Sequence, residues 1–533
     1  MVGTRKTDDT PRSISARIFA KPGAYAFFGA FIAGFFAHLF IFTNIIPNSD
    51  GIGKIYDTQQ MTVSGRWFLH YASMFNKYVQ APALIGSLSL LFISLAAYLT
   101  VDLLSIKNKY ASVGVGVLMA VFPAVAYTNA YTFTASAYYF GFMLALLGVW
   151  LSVKYKLGFI PGAAALALAI GTYQAYIGAA AVLCLIYLGK ELTEKDSKTR
   201  DILIGAAKFA GFGVIGAALY YGVLKLMLAV KGLELLSYRG MNGFSLLSLP
   251  KQILPAYRDF FGFFFGISDP CSYTTGLLVF LNAVLLAVGA VFVITRIIRS
   301  GAYKSPAKLI LFLLILALVP LAADLPVMLV AGYNVTLTMR YPLVFVLFIP
   351  LIAFDGSEKV FKKGSAIVLS VLLALGTAGS SLFYAQIDNI AYTALATAHR
   401  ASESFCTRLV SRVESLEGYS PDMPVYIIGT FPKNIYSNDA EIFSLVADYS
   451  VPKDTVLELN KHVYYYLNDW LNVGWEKPSE EDMTALADSE VFKAMPLYPA
   501  DGSVKISDGK VIVKLEESFV PMSDYEIQYE NRR

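Results

Sequence analysis

Apolar runs of about 20 residues, the length that crosses a bilayer core, alternate along this chain with short basic stretches. Runs at 24–46, 82–101, 111–128, 135–153, 202–230, 273–295, 309–326, 341–354 and 365–384 each read as a membrane-spanning helix. Basic residues fall between them at Lys107 and Lys109, at Lys154 and Lys156, from Lys190 to Arg200, at Arg296, Arg299, Lys304 and Lys308, and at Lys359, Lys362 and Lys363. Arg5, Lys6, Arg12, Arg17 and Lys21 precede the first run against only Asp8 and Asp9. That excess places the N-terminal tail, 1–23, in the cytoplasm. Lys156 and Lys190 then lie on one side, so the residues between them cross an even number of times or not at all. Two short helices turning near Gly171–Tyr176 satisfy this, as does a pair that enters the membrane without crossing.

The count is about 11 transmembrane helices over 24–384. The first acts as an uncleaved anchor, because no small-residue cleavage site closes it. The pattern changes at 385–533, where charged and apolar residues alternate at short range. ASESFCTRLVSRVESL reads as helix and PVYIIGTF as strand. SVKISDGKVIVKLEE reads as a hairpin turning at Asp508-Gly509. The expected fold is an α-helical polytopic membrane protein with a small extracytoplasmic α+β C-terminal domain.

Composition agrees with this division. Of 533 residues 56% are hydrophobic and 15% charged, with mean hydropathy +0.56, which excludes an ordinary soluble protein. Residues 385–533 hold 13 Lys and Arg against 24 Asp and Glu, leaving 30 against 15 for the rest, so an acidic domain follows a basic membrane region. Cys184, Cys271 and Cys406 have no metal or redox spacing. Cys184 reads as packing. Cys271 and Cys406 share the outer side, where a disulfide is open to them but two free thiols are expected.

Candidate chemistry gathers on that outer side. The first outer loop, Asn48–Tyr71, carries Asp50 and Asp57, either of which is suited to act as a general base; solvated loop acids are the bland alternative. Ser64-Gly65-Arg66-Trp67 follows. If helix continues from there, Arg66 and His70 at i, i+4 share a face, and a guanidinium is well suited to a phosphate. Trp67 suits an interfacial anchor or a sugar-stacking platform. Tyr127, Asn129, Tyr131 and Thr134 lie at the second outer turn.

Tyr173 and Gln174 lie at the third outer turn, where Gln174 serves either helix packing or a ligand. Arg340, preceded by Asn334 and Thr338, is an interfacial anchor or a second phosphate contact. The second long outer segment, 232–272, interleaves Arg239, Lys251 and Arg258 with aromatics, and FFGFFFG at 260–266 suits a helix lying on the membrane. There is no Walker A lysine, no His/Cys metal cluster and no dinucleotide-binding turn. Most spans lack the mid-membrane charges of a pump.

Asp50 placed 16 residues before the arginine of Gly65-Arg66-Trp67, the Tyr173-Gln174-Ala175 turn and the span-opening Arg340 form an ordered set. With these features the chain resembles the bacterial type II membrane glucosyltransferases, which include serotype-converting O-antigen glucosyltransferases. The likeness runs through most of the membrane region to about Asp388. Some relatives carry paired acids where this chain has Ser49-Asp50. The resemblance implies a multi-spanning, GT-C-like glycosyltransferase of the inner (plasma) membrane. It implies a polyprenyl-phosphate sugar donor, typically of glucose, and a polysaccharide or lipid-linked glycan acceptor.

The expected roles are Asp50 as base with Asp57 as alternate or helper, and Arg66 and Arg340 as phosphate ligands. Tyr173 and Gln174 line the sugar, Trp67 contributes to substrate binding, and His70 supports Arg66. Membrane lipid is a partner and nucleic acid is not. No cofactor is implied and metal dependence stays open. Single displacement from a sugar phosphate asks for one base and cationic help for the leaving phosphate. Glycoside hydrolysis would ask for two carboxyl groups. A lipid-linked-saccharide flippase or transporter is the alternative from another class, and an envelope scaffold presenting the acidic domain is a third.

Overall fold

A computed structural model of the chain describes residues 21–54, 59–76, 81–236, 248–268, 270–329, 335–357, 360–449 and 451–521. Asp57, Arg239 and Asn334 lie outside the described residues. The helices are α1 Pro22–Thr43, α2 Pro82–Leu103, α3 Lys109–Val121, α4 Pro123–Asn129, α5 Ala135–Lys154, α6 Phe159–Thr172, α7 Tyr176–Leu192, α8 Thr199–Lys231, α9 Leu249–Phe265, α10 Gly276–Ser300, α11 Pro306–Ala323, α12 Leu325–Leu329, α13 Val344–Phe354 and α14 Lys363–Glu414.

Prolines at 22, 82, 123 and 306 open their helices, where a missing N–H leaves no bond unmade. Asn108 caps α3 by accepting from the Tyr110 and Ala111 amides. Pro123 breaks the α3–α4 run with a 41° bend, because it cannot donate to the preceding turn. Beyond the bend Asn129 donates to the Tyr392 hydroxyl and accepts from the Tyr139 hydroxyl, and Tyr127 stacks on Tyr131.

Among the described residues eight helices are long and apolar enough to cross a membrane, nine if α3 and α4 form one bent span. This marks a membrane protein but falls short of the expected count of about 11. The difference lies at α6 and α7, 14 and 17 residues long, which flank the turn at Tyr173 as the sequence suggested. Leu337–Phe354 is the most enclosed span and forms the centre of the bundle, whereas α8 is among the least buried. Large apolar side chains such as Phe36, Val230 and Leu382 lie exposed on the spans, a surface suited to lipid contact.

The sequence ended the last span near residue 384, whereas α14 runs unbroken for 52 residues, about 78 Å at the α-helical rise. A bilayer core is only about 30 Å thick. The C-terminal end of α14 therefore extends past the apolar bundle, which the helix still meets at Asn389 and Tyr392 through Ala37 and His38, and the C-terminal elements pack on it. Ser402 Oγ meets Thr455 Oγ1 at 2.9 Å and accepts from the Val456 amide, and Phe405 packs edge-on against Phe431.

A three-stranded sheet follows, comprising β1 Val425–Ile428, β2 Val504–Ser507 and β3 Lys510–Lys514, in the order β1-β3-β2. β1 and β3 are parallel, with Val425 opposite Val511; β2 and β3 are antiparallel, with Ser507 opposite Lys510. Asp508 and Gly509 connect β2 to β3 with φ of +51° and +71°, the hairpin geometry that an Asp-Gly pair favours. Cys184, Cys271 and Cys406 are all buried and free.

Candidate active site

The described residues of the Asn48–Tyr71 loop form two tight structures. Asn48, buried, turns the chain by accepting from the Gly51 amide on both its side-chain oxygen (2.8 Å) and its carbonyl (2.9 Å), which starts a 3-10 helix at Ser49–Lys54. Asp50 is exposed on that turn. It lies close to Tyr131, whose phenol is pushed up by burial and then by the neighbouring Tyr127 and Asp50.

The second structure presents Arg66. Met61 and Arg66 form a bridge closed by the turn Thr62–Gly65, with the Arg66 amide donating to the Met61 carbonyl at 3.0 Å. Gly65 has φ +80°, and a Cβ there would lie 2.5 Å from Gln174 Nε2 and 2.7 Å from the Tyr220 hydroxyl. Both constraints require glycine. Gln174 donates to the Ser64 carbonyl at 2.9 Å, and Tyr220 to the Gly65 carbonyl at 3.1 Å. Gln174 thus braces the turn that carries Arg66.

Arg66 Nη1 donates to the Tyr138 hydroxyl at 3.1 Å, and its guanidinium carbon lies 4.9 Å from the Tyr173 ring centre. The Tyr138 and Tyr173 rings are 5.0 Å apart. Burial raises the Tyr173 phenol while Arg66 pulls it back, so it stays a neutral hydrogen-bonding group at physiological pH. Tyr131 also neighbours Tyr138, so a run of tyrosines joins the Asp50 edge to the Arg66 edge. A carboxylate at one end and a cation at the other, with hydroxyls between, can deprotonate one group and stabilise negative charge on another.

Three expected residues take different settings. Trp67 is buried against Gly171 and packs with Leu224 and Leu228 of α8. The local helix starts at Leu69, so Arg66 stands before it in the Met61 bridge and does not share a helical face with His70. His70 is half-buried, with its ring 5.3 Å from that of Tyr71. Arg340 forms an ion pair with Asp259 of α9, and its Nη1 lies 3.6 Å from the Cys271 sulfur. Asp324, fully buried beyond α11, adjoins the same pair.

Asp259 and Asp324 were not singled out in the sequence: Asp259 directly follows Arg258 ahead of FFGFFFG, and Asp324 closes the apolar run LALVPLAA. An acid bordering such a run, which must find a partner when buried, was the available signal. Tyr138 and Tyr220 carried no signal in a chain with 34 tyrosines. Asp388 is fully buried and accepts from the Tyr449 hydroxyl at 3.0 Å, so it joins α14 to the C-terminal part.

A protein-family model described as glucosyl transferase GtrII matches residues 39–382, well over half of the chain and inclusive of both site loops. No match to the chain is found among curated proteins.

Proposed function

This chain belongs to the GtrII glucosyl transferase family, and on that premise we propose that it transfers a sugar, glucose, from a polyprenyl-phosphate donor to an extracytoplasmic polysaccharide. In the proposed single displacement Asp50 takes the proton of the acceptor hydroxyl, whose oxygen bonds to the anomeric carbon as the bond to the phosphate oxygen breaks. The departing polyprenyl phosphate meets Arg66, with the Tyr138 hydroxyl bonded to that guanidinium and Tyr173 beneath it. Asp57 is the alternate base. Arg340 is engaged by Asp259, so its part as a second phosphate ligand requires that pair to open.

The observation that carries this reading is the separation of Asp50 and Arg66 on two independent turns joined by tyrosines, which suits one base and one leaving-group cation. An apolar groove supports a lipid donor. It measures about 500 Å³ between α6, α7, α8 and α11, is lined by residues such as Ala180, Leu185, Phe209 and Leu321, and reaches Ile177 beside Tyr176. Such a groove suits an isoprenoid chain. The proposed orientation is an inner-membrane protein with a cytoplasmic N-terminus and residues 385–533 as an extracytoplasmic domain.

The test is purified protein in lipid nanodiscs with polyprenyl-phosphate glucose labelled in the sugar. Label appearing on polysaccharide supports the transferase. Labelled lipid moved across proteoliposomes with no sugar transferred contradicts it and supports the flippase reading.

A further inference from the structure

The 3-10 helix that carries Asp50 is held on its far side by the C-terminal part of the chain. Trp470 Nε1 donates to the Ile52 carbonyl at 3.0 Å, across 418 positions of sequence. Gly53 lies so close to Tyr465 that a Cβ would fall 2.7 Å from its ring. These contacts come from one short element, the helix Asn460–Tyr465 running into a π-helical turn at Tyr466–Trp470. A π-turn inserts one extra residue into a helix and is common where a chain presents a functional surface.

The turn has the chemistry of a saccharide subsite. Trp470 is half-buried, with its ring stacked on Tyr466 at 6.1 Å and 15° and met edge-on by His399 at 5.7 Å. Asp469 beside it is half-exposed and has no hydrogen-bond or ion-pair partner among the described residues. Sugars are recognised by aromatic rings against their C–H faces and by carboxylates that accept from vicinal hydroxyls. An uncommitted carboxylate next to an indole that touches the Asp50 helix fits that need.

We propose that the Tyr466–Trp470 turn is the acceptor subsite, where Asp469 and Trp470 bind the polysaccharide and Trp470 also positions Asp50 through the Ile52 carbonyl. The proposal rests on the transferase reading of Asp50, and the experiment separates the two. Full-length protein in nanodiscs is titrated with delipidated polysaccharide released from the host's own envelope, without donor, and tryptophan fluorescence is read. The same preparations are then assayed for transfer with both substrates varied.

The wild type is expected to show saturable quenching that Trp470→Phe abolishes and that Trp150→Phe, at the end of α5 beside Asp102, leaves. Asp469→Asn is expected to raise the acceptor KM tenfold or more while the donor KM stays within twofold. Trp470→Phe keeps a ring but loses the bond to Ile52, so kcat should fall with little change in acceptor KM, whereas Trp470→Ala should worsen both. Acceptor KM within twofold of wild type in Asp469→Asn, or equal changes in the donor and acceptor KM, overturns the subsite and leaves the transferase reading intact. Quenching that depends on Trp470 in a protein that transfers no sugar supports the subsite and overturns the reading of Asp50.

Discussion

Arg66 donates from Nη1 to the Tyr138 hydroxyl at 3.1 Å while its guanidinium covers the Tyr173 ring at 4.9 Å. The plane and orientation of the cation are therefore set by two groups from different parts of the chain. A point charge on a flexible stem would satisfy only part of this geometry.

Arg66→Lys is accordingly expected to lower kcat about 100-fold, the scale of losing one transition-state donor. Tyr138→Phe, which leaves the charge but removes one of its anchors, should fall between that variant and the wild type. Initial rates at saturating donor and acceptor check the order.

The turn that presents Arg66 depends on Gly65 and Gln174. Gly65→Ala meets both a strained φ of +80° and a clash with Gln174, and is expected to cost about 1–3 kcal/mol. Gln174→Ala leaves the Ser64 carbonyl without its 2.9 Å donor and should cost about 1–2 kcal/mol. Thermal unfolding in a single detergent measures both, and Gln174→Glu, which places an acceptor against that carbonyl, should be the worse of the two Gln174 variants.

Arg340 compensates buried negative charge. Arg340→Ala leaves Asp259 and Asp324 facing each other in an apolar setting, and breaking a buried pair from one side costs about 3–5 kcal/mol. Arg340→Met combined with Asp259→Leu should recover much of that loss. Recovery of the folded fraction in the double variant, read by size-exclusion of the detergent-solubilised protein, distinguishes this role from direct catalysis.

Burial raises the Asp469 carboxyl above the ordinary aspartate range. Its charged form is thus the disfavoured one in the folded state. The stability it contributes is present at low pH, where it is protonated, and is lost as pH rises through its folded-state value. Asp469→Asn should therefore be slightly more heat-stable than wild type at neutral pH, with the difference vanishing below the usual aspartate range. Scanning calorimetry across that window checks the sign.

Much of the frame was legible from local pattern. Apolar run length and basic loops mark the spans, Asp508-Gly509 marks the hairpin, and the polar residues at 173–174 mark the turn between α6 and α7. Other features depended on tertiary context. The α14 helix passes residue 384 without a break because its surroundings change from lipid to protein while its backbone bonds do not. A shared face for Arg66 and His70 depended on helix continuing from Ser64–Trp67, but Gly65 adopts a left-handed conformation there and helix begins only at Leu69. The Arg340–Asp259 and Trp470–Ile52 contacts join residues 81 and 418 positions apart, and no local periodicity encodes such pairings.

The central claim is that Asp50 is the base for sugar transfer, and Asp50→Asn tests it most directly. Transfer of labelled sugar by the purified, folded variant should fall at least about 100-fold, as removal of a general base does, while Asp57→Asn retains most activity. Wild-type rates in Asp50→Asn, with the protein folded and the donor bound, would contradict the account.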